Sequence, residues 1–231
     1  MNDAFRIQVT ALENATSPLI AFFHAQRTGG SVVKNFLRKA YGDERVYAQQ
    51  TVPSYKHWPE ISELDLVGKD VFAGHCNYDS RDFLDRSVLP ISIVRHPVYR
   101  CFSLHEYCKN KEGHNLQEMA RSHTAEAFYK EGSRLKPGYF RNMQCRRICG
   151  KPSAELAIHF IESKYFAIST TDSLSSFSQR LIDIFRWNIE PLSAKAPDKE
   201  RYDRLISTEF KQLVLADNEE DDKLFAFVKS I

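Results

Sequence analysis

Two short segments gather the residue types that bind anions. In Gln26–Ser31, QRTGGS, a cation and a hydroxyl (Arg27, Thr28) stand directly before Gly29 and Gly30. In Arg95–Ser103, RHPVYRCFS, an arginine and a serine lie eight residues apart across Pro97. Glycines let a backbone approach a ligand closely. The N–H groups at a helix start are unpaired and carry partial positive charge. A Gly-Gly loop leading into a helix is therefore either a phosphate cradle or an ordinary turn whose glycines serve conformation alone. Arg95 with Ser103 offers a guanidinium fork and a hydroxyl to a second phosphate, although Arg-x-Pro by itself is common where a strand meets a helix. The first segment is not a nucleoside-triphosphatase loop, because the cation precedes the glycines and no GK[ST] element follows them.

The apolar pattern indicates the elements that carry these segments. Leu19–His24 reads as a buried strand, Ala25–Gly30 as a loop and Ser31–Tyr41 as a helix ended by Gly42. Val71–Gly74 and Ile91–Val94 read as two further strands, the latter beginning after a proline, and Pro97 opens a helix to about Cys108. Tyr139–Cys149 reads as one basic helix closed by Gly150, followed by a helix Ala154–Ser163, a strand Tyr165–Ser169, and helices Leu174–Phe185 and Asp221–Val228. Short apolar strands alternating with helices predict an α/β fold around a central, mainly parallel β-sheet, whose ligands gather at the carboxyl ends of the strands. Residues 1–231 read as a single domain. Within it, Asn110–Pro137 is a polar insertion, read as a lid or an acceptor-binding segment.

Composition excludes several classes. With 42% hydrophobic residues and 12% aromatic residues, the chain is not a disordered one. Lys+Arg 32 against Asp+Glu 30 leaves a net charge of +2, so no global field recruits nucleic acid or an anionic membrane. Five irregularly spaced cysteines with no CxxC pair suit free thiols in a reducing compartment better than a disulfide framework. Cys145 and Cys149 lie one helical turn apart but lack a second ligand pair for a metal. Neither a signal peptide nor an apolar run long enough to span a membrane is visible, so the expected location is the cytoplasm.

Taken in order, about seventy residues apart, the two segments resemble the PAPS-dependent sulfotransferases, in particular the branch that sulfates carbohydrates such as heparan sulfate at 2-O and 6-O positions. PAPS is 3′-phosphoadenosine 5′-phosphosulfate and PAP its desulfated product. The family's first loop reads close to P-K-T-G-G-T/S and its second close to R-D-P-x-x-R-x-x-S. Between them, FAGHCNYD (Phe72–Asp79) is similar to the family's G-H segment. FRNMQCRRICG (Phe140–Gly150) is similar to its N-x-Q-x-R-x-x-x-G helix, and NEEDDKLFAFVKS to its closing D-x-x-L-[YF] helix. The resemblance spans about Leu19–Val228. Two departures stand out: Arg27 replaces the loop lysine, and His96 replaces the aspartate before the proline.

The resemblance implies a P-loop-like domain that moves a sulfuryl group from PAPS to an acceptor hydroxyl, most naturally on a glycan or glycoside, without a metal. The donor-binding set it implies is Arg27, Thr28, Gly29, Gly30, Ser31, Val32, Arg95 and Ser103. His75 would be the general base and Arg27 would stabilise charge on the departing PAP. His75 is otherwise a core histidine, and His24 is the competing base or a residue packed at the strand end. His105 reads as structural or acceptor-facing. Arg100 binds the ligand or pairs with an acidic neighbour. Arg146 and Arg147 form a solvated face or meet an anion. Phe22 and Phe23 read as core, whereas Tyr55, Trp58 and Tyr78 are candidates to stack on a sugar. Two other functions compete: a P-loop-type nucleotide kinase, which would need magnesium, and a catalytically silent module that binds PAP.

Overall fold

The structure, a computed structural model, describes residues 5–8, 18–48, 63–78, 87–193 and 199–231. Within these, the strands are β1 (Phe5–Ile7), β2 (Leu19–Phe23), β3 (Val46–Ala48), β4 (Val71–Gly74), β5 (Val88–Val94) and β6 (Ala167–Thr170). They form one six-stranded sheet in the order β1-β6-β5-β2-β4-β3. Only β1 runs antiparallel, against β6. Every residue of β2, β4 and β6 is buried, as expected for parallel strands covered on both faces.

The helices are α1 (Gly30–Tyr41), α2 (Pro97–Asn110), α3 (Gln117–Ser122), α4 (Ala125–Leu135), α5 (Pro137–Phe140), α6 (Met143–Cys149), α7 (Ala154–Ser163), α8 (Leu174–Phe185), α9 (Lys199–Leu205), α10 (Thr208–Asp217) and α11 (Glu219–Ser230). On one face of the sheet, Ile20 and Phe22 of β2 pack with Val33 and Phe36 of α1 and Phe177 and Leu181 of α8. On the opposite face, Leu19, Ala21 and Phe23 pack with Phe72, Leu66 and Cys76. Val94 and Ile168 meet α6, α7 and α11. The alternation along β2 is what divides its side chains between two cores.

Three expectations are corrected. The third strand begins at Val88 and runs through Pro90. The proline is accommodated because β6 pairs only from Ile91 onward, while the Pro90 carbonyl accepts from Phe166 N–H at 2.9 Å. The expected helix Tyr139–Cys149 is broken into α5 and α6 at Asn142, which adopts a left-handed backbone with φ 47°. The polar insertion contains α3 and α4, which pack with α2, α5 and α10 around Phe102, Phe128, Tyr129, Phe140 and Phe210. No helix among the described residues is long and apolar enough to cross a membrane.

Sheet order fixes where a ligand would sit. From β2 the chain passes through α1 to β3 on one side; from β5 it proceeds through the helices to β6 on the other. The loops after β2 and β5 thus diverge from neighbouring strands, leaving a crevice at their carboxyl ends, the usual ligand position in such sheets. Gln26–Ser31 and Arg95–Ser103 both begin at this crevice.

Candidate functional site

The loop after β2 is shaped by left-handed backbone at Arg27 (φ 70°) and Gly29 (φ 85°). Gly29 passes directly into the right-handed Gly30 at the start of α1, a left–right succession that turns consecutive N–H groups toward one concave point. No side chain caps this helix start. Among the described residues, no backbone carbonyl accepts from the N–H of Gly29, Gly30 or Ser31. The amide of Val32, by contrast, already donates to Gly29 O at 3.0 Å, which removes Val32 from the expected cradle. Thr28 is fully buried and its hydroxyl donates to Ala25 O at 2.9 Å, so its side chain is engaged within the loop itself.

Gly30 is required by a neighbour. A Cβ built there would run into the His24 imidazole. That ring stacks on Phe22 (centroids 4.4 Å, 7°) and lies 4.3 Å from the His75 ring. His24 is buried, and its Nδ1 makes no hydrogen bond of normal geometry among the described residues. Burial holds its protonation midpoint well below the usual value, and the His75 charge adds to this. His75 follows β4, and its Nδ1 lies 3.1 Å from the His24 carbonyl. A carbonyl only accepts, so Nδ1 carries the proton and Nε2 holds the lone pair of the neutral ring. Burial lowers the His75 midpoint to about 4, against an opposing bond to His24 and with help from the charges of Arg147 and Lys34.

The loop after β5 is tied to the first. Arg95 is buried, and its Nη1 donates to Arg27 O at 3.1 Å. Its buried Nε and Nη2 make no hydrogen bond of normal geometry among the described residues; Tyr202 is their neighbour, its ring centre 5.5 Å from the guanidinium, and it opposes the lowering of the Arg95 midpoint by burial. Arg27 does not point into the cradle. Its Nε donates to Ser103 Oγ at 3.2 Å, and its guanidinium stacks 4.5 Å over Tyr107. The expected Arg95–Ser103 grip is therefore a triangle in which Ser103 holds Arg27 and Arg95 holds the Arg27 backbone. Arg27 costs about 1–2 kcal/mol in a left-handed conformation, and these two bonds from α2 and Arg95 offset that strain.

A second layer fixes Arg95. The Gln144 side chain grips its backbone twice, accepting from Arg95 N at 2.7 Å and donating to Arg95 O at 2.8 Å. The buried Asp221 carboxylate accepts from Gln144 N at 3.0 Å and Cys145 N at 2.9 Å. Asn142 exchanges bonds with Asn218 and the Asp221 amide. The α5–α6 break thus has a tertiary cause: Asp221 sits at the positive start of α6, while the fully buried Arg100 donates to Phe140 O, at the end of α5, at 2.8 Å. Arg100 is structural and does not line the crevice.

Other candidates find definite places. His105 Nε2 lies within 3.1 Å of the Ala120 and His123 carbonyls, joining α2 to the α3 end. His96 occupies the N-cap position of α2 without a capping side-chain bond, and its Nε2 lies 3.7 Å from Asp222 Oδ1. Tyr78 packs edge-on against Phe23 and Phe160, so it belongs to the core and does not offer a sugar platform. Arg147 donates to Asn77 Oδ1 at 2.7 Å, beside His75. Tyr55 and Trp58 lie outside the described residues. All five cysteines are buried free thiols. Among the described residues, no three His, Cys, Asp or Glu side chains are gathered as a metal requires. The sequence reading missed Lys34, whose charge reaches both imidazoles.

No protein-family model matches the chain, and no curated protein matches it.

Proposed function

We propose that this protein is a PAPS-dependent sulfotransferase acting on an acceptor hydroxyl, with a glycan or glycoside as the acceptor class. The observation that carries the reading is the bonded meeting of two βα junctions: open amides at Gly29–Ser31 on one side, and on the other a buried guanidinium, Arg95, with two donors unanswered. Orphaned buried donors of this kind call for an anion. One phosphate fits the open donors of Arg95; a second anionic group fits the α1 start. A carrier with charge at both ends, such as PAPS, answers both.

The donor supplies an activated sulfuryl group. His75 Nε2 takes the proton of the acceptor hydroxyl as its oxygen forms a bond to sulfur. The bond from sulfur to the 5′-phosphate oxygen breaks, and the electron pair leaves with PAP. Backbone N–H groups at the α1 start stabilise that charge without reorganising. His75 is neutral at physiological pH, as a base must be, and an anionic donor beside it would raise its depressed midpoint and with it its strength as a base.

Calorimetry with PAP, ADP and ATP in chelator tests the binding half. PAP should bind without metal and more tightly than ADP or ATP. Magnesium-dependent ATP binding with no PAP binding would indicate a kinase instead and overturn the proposal. The engagement of Arg27 by Ser103 and Tyr107 also favours a second reading, the silent PAP-binding module; PAP-induced thermal stabilisation without sulfate transfer to any acceptor would establish it.

A further inference from the structure

We infer that Lys34, on α1, contacts the 5′-phosphate of the carrier, from which the sulfuryl group departs, and supplies the positive charge that the resemblance assigns to Arg27. The inference rests on the reading above and adds a residue to its machinery.

Three observations support it. First, Arg27 is committed elsewhere, bonded to Ser103 and stacked on Tyr107. Second, Lys34 lies four residues after Gly30, so the two occupy one face of α1, and helical side chains lean toward the N-terminus. The Cβ direction of Gly30 meets the His24 imidazole, and Lys34, one turn on along the same face, lies near enough for its charge to act on both His24 and His75. Third, none of the ion pairs among the described residues involves Lys34. Its environment agrees: partial burial, with Arg38 one turn on, lowers its midpoint, and its charge depresses both imidazoles. A half-buried ammonium without a carboxylate, beside a proposed base and a concave set of amides, is placed for an anion.

The role differs from that of a loop cation. From α1, Lys34 approaches the 5′-phosphate from the His75 side, so one charge both holds that group and adds, after burial and Arg147, to the depression of the His75 midpoint before the donor arrives. An anion between them cancels that repulsion and raises the His75 midpoint part of the way back.

The test uses the full chain, PAP, and adenosine 3′-monophosphate, which lacks the 5′ group. Lys34→Met should weaken PAP binding by about tenfold or more, the scale of one charge-assisted hydrogen bond, and leave adenosine 3′-monophosphate binding unchanged. Lys34→Arg should restore most PAP affinity, and Lys39→Met, an exposed residue of α1, should change neither. In ligand-free Lys34→Met, NMR titration should show the His75 midpoint moved upward. Wild-type PAP affinity in Lys34→Met would overturn the assignment and leave the functional reading standing. Equal loss of both ligands would also overturn it, as would an unmoved His75 midpoint. Failure of the wild-type protein to bind PAP would remove the functional reading itself, and the assignment with it.

Discussion

The loop after β2 is shaped from within, by left-handed backbone at Arg27 and Gly29, whereas the loop after β5 is shaped from outside, by Gln144 and Asp221 reaching in from α6 and α11. One presents amides, and the side chains that reach it, Ser103 and Arg95, hold Arg27 and not the glycines. The other presents a single guanidinium on a doubly supported backbone. An anion cradle made of main chain needs only glycine and a helix start, so its sequence signature is local. A cradle made of a side chain needs that side chain held still, and the holding residues lie far away in sequence. This difference decides how each half should fail.

The largest effect is expected from the outside support. Asp221→Ala leaves the buried amides of Gln144 and Cys145 without acceptors and should cost about 3–5 kcal/mol in denaturant unfolding. A loss below about 1 kcal/mol would show that α6 does not depend on Asp221. Next comes the inner loop. Gly30→Ala drives a methyl into His24 and should cost about 1–3 kcal/mol, together with weaker PAP binding. Unchanged stability would mean that the His24 ring does not press on the loop.

A smaller effect should appear on acidification. The His75 midpoint is held at about 4, below the unfolded value near 6.5. Between these values the unfolded chain binds more protons, so stability rises with pH across this window and falls as pH drops through it. His24, shifted in the same direction, adds to the slope. Chemical denaturation from pH 7 to pH 4 should show a shallower decline in His75→Asn than in wild type; equal slopes would place the His75 midpoint outside the window.

The same contrast explains what the sequence revealed. The strands β2 and β4 and the helices α7 and α8 were legible because a strand or helix buried along its length carries its own period. The edge strands β1 and β3 were not: each has three residues, too few for a pattern, and each is set by its partner's register. Helix α4 was hidden because Gly132 is one of its core residues, packed under the Phe140 ring, and hydrophobic periodicity does not register a glycine. The break at Asn142 depends on Asn218 and Asp221, some seventy-five residues on. At the site, the glycine loop and Arg95 stood out by type and spacing, and His75 through the resemblance of Phe72–Asp79 to the family's G-H segment. Lys34 did not, because its meaning depends on where His24 places its ring. The diversion of Arg27 was equally invisible, because it requires Ser103 and Tyr107 to project from α2 toward the loop.

The central claim is that the two loops hold opposite ends of one doubly charged carrier. Calorimetry of wild-type protein and Arg95→Ala, each with PAP and with adenosine 5′-monophosphate, tests it most directly. Wild type should prefer PAP, and Arg95→Ala should lose about 1.5–3 kcal/mol with PAP while binding adenosine 5′-monophosphate as wild type does. Equal affinity of the wild-type protein for the two ligands, or a parallel loss for both in Arg95→Ala, would contradict it.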